Sequence, residues 1–208
     1  MKHILIIASD GVSLINFRLP LIKLLLAKGY KVSVASPINK FSDDLQKELK
    51  ILGVNINIFT LSRTGLNFLK DLKSIFEINN IISYSKPNLI ISFTAKPVIY
   101  TGLILRFYQK ISFFPLITGV GYGLYEKKSI KHRILKFLMI RLYREGLKSA
   151  QTIIFQNKDD QHLFYKLKIL KKKNISRIVN GSGVDLDKYP LTSLPSKPVF
   201  LMISRLLE

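Results

Sequence analysis

The sequence predicts an α/β protein built on a doubly wound parallel sheet. Three observations point there. His3-Ile4-Leu5-Ile6-Ile7-Ala8 is an apolar run without polar alternation, as expected of a strand covered on both faces. Strand-like runs then alternate with helical patterns at a spacing that suits β-α-β crossovers rather than hairpins. The first of these units is a strand, a polar loop and a helix, a start that places ligands at the carboxyl ends of the strands.

The elements follow in order. After the first strand come Ser9-Asp10-Gly11 and a polar loop to Asn16, expected as N-cap of a helix on Leu21, Leu24 and Leu25 that Gly29 closes. Pro20 fits a first turn, whose amides have no partner inside the helix. Lys31–Ala35 reads as a strand ended by Pro37, then a helix over Asp43–Leu52 and a strand over Val54–Ile58. Gly65–Tyr84 is an amphipathic helix on Leu66, Leu69, Leu72, Ile75 and Phe76, stopped by Lys86-Pro87. Asn88–Ser92 is a buried strand, and Pro97 opens a helix to Tyr108. Phe113–Ile117, Thr152–Phe155 and Ser176–Val179 are further strands, separated by helices over Ser129–Lys148 and Lys158–Leu167. Pro190, Pro195 and Pro198 punctuate a linker, and Val199–Ile203 begins a fresh buried strand. Residues 1–190 therefore read as one domain, and 191–208 as a linker with the opening strand of a second, truncated one.

Composition narrows the functions. The 208 residues are 48% hydrophobic, enough for a real core, and contain no cysteine. Disulfides, thiolate metal sites and cysteine nucleophiles are excluded, and a reducing compartment fits. Three scattered histidines, His3, His132 and His162, argue against a metal site. No secretory signal or membrane-spanning stretch is visible, so a cytoplasmic protein is expected. Lys+Arg 33 against Asp+Glu 13 gives a formal charge of +20. Such a field attracts an anionic partner, either a membrane face or nucleic acid. The basic residues are mixed with isoleucine, leucine and phenylalanine, which favours a membrane surface; part of the lysine excess is also open to a genomic bias.

Four stretches bear on chemistry, each with two readings. Arg18 and Lys96 are cations expected beside helix N-termini, where the macrodipole disfavours them by about 0.3–1 kcal/mol. Either they are solvated or paired, Arg18 with Asp10 for instance, or they meet an anion in a shared crevice. Gly119-x-Gly121-x-Gly123, with Tyr122 and Tyr125, is either a tight turn or a close backbone approach to a ligand. Asn180-Gly181-Ser182-Gly183-Val184-Asp185 is either a plain turn or a sharp loop at the base of a cleft. Lys127–Lys148 carries Lys128, Lys131, Arg133, Lys136, Arg141 and Arg144 against one internal acid, Glu145. Ile134, Leu135, Leu138 and Leu142 share a face there. The helix is either core-packed with a solvated basic face or interfacial on anionic lipid. No catalytic triad, P-loop or paired catalytic carboxylates are recognisable, so catalytic residues stay unassigned.

Five stretches, taken in order, resemble the N-terminal domain of a family 4 glycosyltransferase of the two-Rossmann-domain (GT-B) architecture. They are Asn16-Phe17-Arg18-Leu19-Pro20, Lys96-Pro97, Ile117–Tyr122, Gly181–Asp185 and Phe200–Leu207. The resemblance implies a Rossmann-like acceptor domain, the N-terminal half of a GT-B fold. It implies transfer of a hexose or N-acetylhexosamine from a nucleotide sugar, expected to be a UDP-sugar, to a polyprenyl-diphosphate-linked saccharide. The products would be capsule, lipopolysaccharide O-antigen or glycoprotein glycans built on undecaprenyl diphosphate. Asp10, Gly11, Asn16, Arg18, Lys96, Gly119, Gly121 and Tyr122 would face the acceptor; Gly183 and Arg205 would face the donor. The chemistry would retain configuration and need neither metal nor cofactor. The protein would sit peripherally on the inner face of the plasma membrane, with no nucleic-acid partner. Phe93-Thr94 departs from the histidine-threonine of many relatives. The donor-domain motifs would lie beyond Glu208, so the chain alone is expected to be inactive. The rival reading is a non-catalytic basic module that binds anionic membrane or nucleic acid.

Overall fold

The structure is a computed structural model and describes residues 1–37, 43–62, 67–124, 129–186, 189 and 191–203. Strands β1 (His3–Ile7), β2 (Lys31–Pro37), β3 (Asn55–Phe59), β4 (Leu89–Phe93), β5 (Ser112–Ile117), β6 (Ile153–Phe155) and β7 (Ser176–Ile178) form one sheet. Helices α1 (Gly11–Ala27), α2 (Asp43–Ile51), α3 (Phe68–Ser85), α4 (Ala95–Leu105), α5 (Ile130–Gly146) and α6 (Lys158–Lys166) connect them. All pairings are parallel, in the order β3-β2-β1-β4-β5-β6-β7. This is the predicted doubly wound, Rossmann-like sheet. The order reverses between β1 and β4, which is where the carboxyl ends of the strands part to leave a crevice.

The alternation within β1 shows why both faces are covered. Ile4 and Ile6 pack with Leu14, Leu19 and Ile22 of α1 and Leu49 of α2. Leu5 and Ile7 face the other layer, made by Ile78 and Ile82 of α3, α4, Tyr143 of α5 and Phe164 of α6. Pro97 lies in the first turn of α4, where its missing N–H costs no helical bond. Helix α4 is buried along most of its length, and its Gly102 sits against Gly146 of α5 so closely that an added Cβ would lie 2.1 Å from the Gly146 carbonyl oxygen.

Two expectations are corrected. Helix α1 begins at Gly11, because the Asp10 carboxylate accepts the Val12 N–H at 3.0 Å and caps it there. Asn16 is therefore inside the helix and not its cap, Arg18 is away from the first turn, and Pro20 is internal. Second, Leu69, Leu72 and Phe76 do not make the core face of α3; Ser74, Ile78 and Ile82 do. On α5, for which both readings were open, His132 and Tyr143 are buried, Leu135 and Leu142 are half-buried, and Ile134 and Leu138 are exposed. Val199–Ile203 forms no ladder and is 70–96% exposed, as expected of a strand that has no partner strands in this domain. Of the residues singled out above, Gly65, Leu66, Tyr125, Lys127, Lys128, Pro190, Arg205, Leu207 and Glu208 lie outside the described residues.

Candidate functional site

At the switch point the strand ends surround a cleft of about 410 Å³. Ser9 and Asp10 come from the end of β1, Phe93 and Thr94 from β4, Thr118 from β5 and Gln156 from β6. Helix α1 contributes Val12, Ser13, Asn16, Phe17 and Arg18, and Ser182 closes the far side. Parallel strands all end at one edge, so a single rule of topology gathers residues that lie far apart in the chain.

Arg18 is the unusual member. It is only 6% exposed, with its guanidinium 4.6 Å from the centre of the Phe93 ring. Nη1 donates to the Ser182 hydroxyl at 2.6 Å and to the Phe17 carbonyl at 3.2 Å, while buried Nε has no partner. Gln156 Nε2 also donates to Ser182, at 3.2 Å. No carboxylate among the described residues pairs with Arg18. Its pKa is pushed down by burial, the sole cause acting on it. The anomaly expected of Arg18, a cation at a helix start, is not found; Arg18 is unusual instead because it is desolvated.

Lys96 has a different fate. It stands in the first turn of α4, as expected, but its Nζ lies 2.7 Å from Asp71 Oδ1 of α3, with both side chains mostly buried. Burial, first, and the Asp71 carboxylate push the Tyr100 pKa upward. Lys96 does not line the cleft. Its charge is answered inside the protein, and the expectation that it shares an anion with Arg18 loses its motive.

The remaining candidates divide. Asn16 lines the cleft, and Pro20 deprives its carbonyl of the usual helical donor. Asp10 lines it as the cap of α1; Gly11 is buried behind it. Gly119 and Gly121 adopt φ of 148° and 71°, which a residue with a Cβ rarely adopts, with open space where a Cβ would stand. Tyr122 opens a 3₁₀ turn to Leu124, and its side chain is not among the described ones. Gly183 follows Ser182 with φ of 76°.

Sequence reasoning missed Phe17, Thr94, Thr118, Gln156 and Ser182 as individual cleft residues. Thr118 and Gln156 follow strands, which is a usable signal. Thr94 is the unforeseen one: φ 72° and ψ 156° is a conformation normally kept for glycine, and its buried Oγ1 has no partner.

A doubly wound sheet with a cation-floored cleft at its switch point defines a Rossmann-like ligand-binding domain. Residues 3–157 match the glycosyl transferase 4-like family, and the chain belongs to that family. It is 26% identical over 212 residues to the N,N'-diacetylbacillosaminyl-diphospho-undecaprenol α-1,3-N-acetylgalactosaminyltransferase of Campylobacter jejuni, covering 95% of this chain and 54% of that protein. Its fold is shared with a glycosyltransferase from Rickettsia africae (TM-score 0.59, 15% identity, 91% of this chain and 45% of that one). It is shared also with a sucrose-phosphate synthase from Thermosynechococcus elongatus (TM-score 0.60, 13% identity, 90% and 49%). The chain spans about half the length of these relatives, and its fold is that of one Rossmann-like half of a GT-B glycosyltransferase.

Proposed function

We propose that this chain is the acceptor-binding half of a glycosyltransferase that moves a hexose or N-acetylhexosamine from a nucleotide sugar to a lipid-diphosphate-linked saccharide. The supporting observation is Arg18, a buried cation with no carboxylate partner among the described residues, in a cleft that opens at the switch point. An uncompensated buried charge is costly, and an anionic ligand removes that cost. The acceptor's diphosphate meets Arg18 and the amides of α1 at its amino end, while Asn16 and Ser9 offer polar contacts to the sugar. Phe17, exposed in the cleft, supplies an apolar surface for a sugar ring.

The donor pocket belongs to the second half that the longer relatives carry, with Gly183 and Arg205 contributing from this chain. On this reading the 208-residue chain has no transfer activity until that half is supplied. Transfer retains the donor's configuration without a metal, as the family resemblance implies. Product anomer by NMR and activity in EDTA test those two points. The enzyme works on the cytoplasmic membrane face, as a lipid-linked acceptor requires.

Calorimetry with a short-chain, water-soluble prenyl-diphosphate saccharide tests the acceptor site. Arg18→Ala weakens binding by about 1.5–3 kcal/mol, the range for a hydrogen bond to a charged group. Unchanged affinity in a folded Arg18→Ala variant assigns the residue to holding the Ser182 loop and removes the main support for this site.

A further inference from the structure

Ser182 stands shortly after β7, in a stretch where Val179, Val184 and Leu186 are exposed. Gly181 and Gly183 on either side of it adopt φ of 73° and 76°, with open space where a Cβ would stand. Two left-handed residues thus bracket one serine, and the turn they make carries its side chain to the cleft wall.

A serine hydroxyl has two lone pairs to offer and one proton to give. Arg18 Nη1 donates to Ser182 Oγ at 2.6 Å, and Gln156 Nε2 donates to the same atom at 3.2 Å. Neither nitrogen can accept, so both lone pairs are occupied and the proton remains to be given. No acceptor among the described residues takes it. A donor that carries a full positive charge polarises the hydroxyl and strengthens its own donation.

Arg18 is in a matching condition. Nη1 serves Ser182 and the Phe17 carbonyl, Nε is buried without a partner, and Nη2 bonds nothing among the described residues. The Phe93 ring, the Phe17 carbonyl and Ser182 therefore hold the guanidinium in place with donors still to satisfy. Asp10, which also lines the cleft, has Oδ1 committed to the Val12 amide. Two adjoining donors, one of them cationic, fit a single anionic oxygen that bridges them. A neutral sugar hydroxyl would use the Ser182 proton and leave the buried charge of Arg18 unanswered.

We propose that Ser182 is a ligand-binding residue of this cleft, its hydroxyl donating to a phosphate oxygen of the acceptor's diphosphate beside Arg18. This deepens the acceptor site proposed above and rests on it. A diphosphate also arrives on the nucleotide sugar; Ser182 serves the lipid-linked one because its hydroxyl is fixed to α1 and to the end of β6, inside this half.

Calorimetry on the 208-residue chain compares three probes: a short-chain prenyl-diphosphate saccharide, the same saccharide without diphosphate, and UDP. Ser182→Ala lowers affinity for the first by about tenfold or more, the loss of a hydrogen bond to a charged group. Ser182→Thr keeps the hydroxyl and restores most of that affinity. Neither variant changes the response to the bare saccharide or to UDP. In an Arg18→Ala background Ser182→Ala still weakens prenyl-diphosphate binding, because its proton meets the ligand directly. Ser182 lies outside the core, so circular dichroism and Tm stay those of the parent. No further loss in the Arg18→Ala background means that Ser182 only steadies Arg18, and overturns the proposal. Parent-like affinity of Ser182→Ala overturns it too, while a loss in Arg18→Ala alone leaves the acceptor reading standing. Loss of UDP binding in Ser182→Ala, with prenyl-diphosphate binding intact, gives the contact to the donor and overturns the assignment. No binding of the prenyl diphosphate by the parent overturns this inference together with the acceptor site.

Discussion

Replacing Gly102 with alanine tests whether the α4–α5 contact is as close as it stands here. The new Cβ would lie 2.1 Å from the Gly146 carbonyl oxygen, 2.6 Å from its carbon and 2.9 Å from its Cα. A relaxed C···O contact is about 3.3 Å, so roughly 1.2 Å must be found. All three atoms are backbone, and no rotamer change relieves them. Helix α5 must move as a body, while the Ser149 hydroxyl donates to the Gly102 carbonyl at 2.8 Å and resists separation. Overpacking costs about 1–3 kcal/mol, here at the upper end, and alanine returns about 1 kcal/mol of helix propensity. The net loss is about 2 kcal/mol, or a fall in Tm of about 4–8 °C for a chain of this size. Gly123→Ala is the control, since its Cβ meets the movable Met139 side chain at 3.1 Å, and it costs under about 1 kcal/mol. Gly146→Ala strains the same contact from the other side, so the double variant loses less than the sum. Urea and thermal melts decide the matter. A Gly102→Ala protein as stable as the parent refutes the close crossing.

Three shorter predictions follow. His3 is buried with Nδ1 donating to the Ser85 carbonyl at 2.9 Å and Nε2 accepting from Ser33 at 2.7 Å, and burial, the largest cause, lowers its pKa from 6.5. The unfolded chain then takes up a proton that the native state refuses, so stability holds above pH about 6.5 and declines as pH falls below it. A His3→Gln variant with the same pH slope in urea melts removes His3 as the cause. Lys96→Met leaves Asp71 without its cation and lowers stability by about 1–3 kcal/mol, while Lys96→Met/Asp71→Asn recovers part of the loss; acceptor affinity, by calorimetry, stays near the parent's. Thr94→Gly relieves a glycine-like φ and an unpartnered hydroxyl, so the melt rises by about 1 kcal/mol after glycine's own entropy cost. A lower melting point for that variant means Thr94 is not strained.

Much of this architecture is a local property. Unalternating apolar strands such as His3–Ile7 require cover on both faces wherever they occur, and that need, repeated with helical spacers, defines a doubly wound sheet. The position of the cleft follows as well, since parallel strands share one carboxyl edge. Two further matters depend on partners distant in sequence. Lys96 and Asp71 are 25 residues apart, and only the packing of α4 on α3 shows that one answers the other's charge. Arg18 reads as a helix-start cation until Asp10 is seen capping α1 and Ser182, 164 residues away, is seen receiving its Nη1 proton. Periodicity found the apolar residues of α3 but took Leu69, Leu72 and Phe76 for its amphipathic face, and for α5 it left the core-packed and interfacial readings open. Each helix offers two apolar stripes, and burial goes to the one whose shape fits the sheet. The tertiary structure alone decided that Ile78 and Tyr143 go inward, leaving Phe76 and Phe137 facing out.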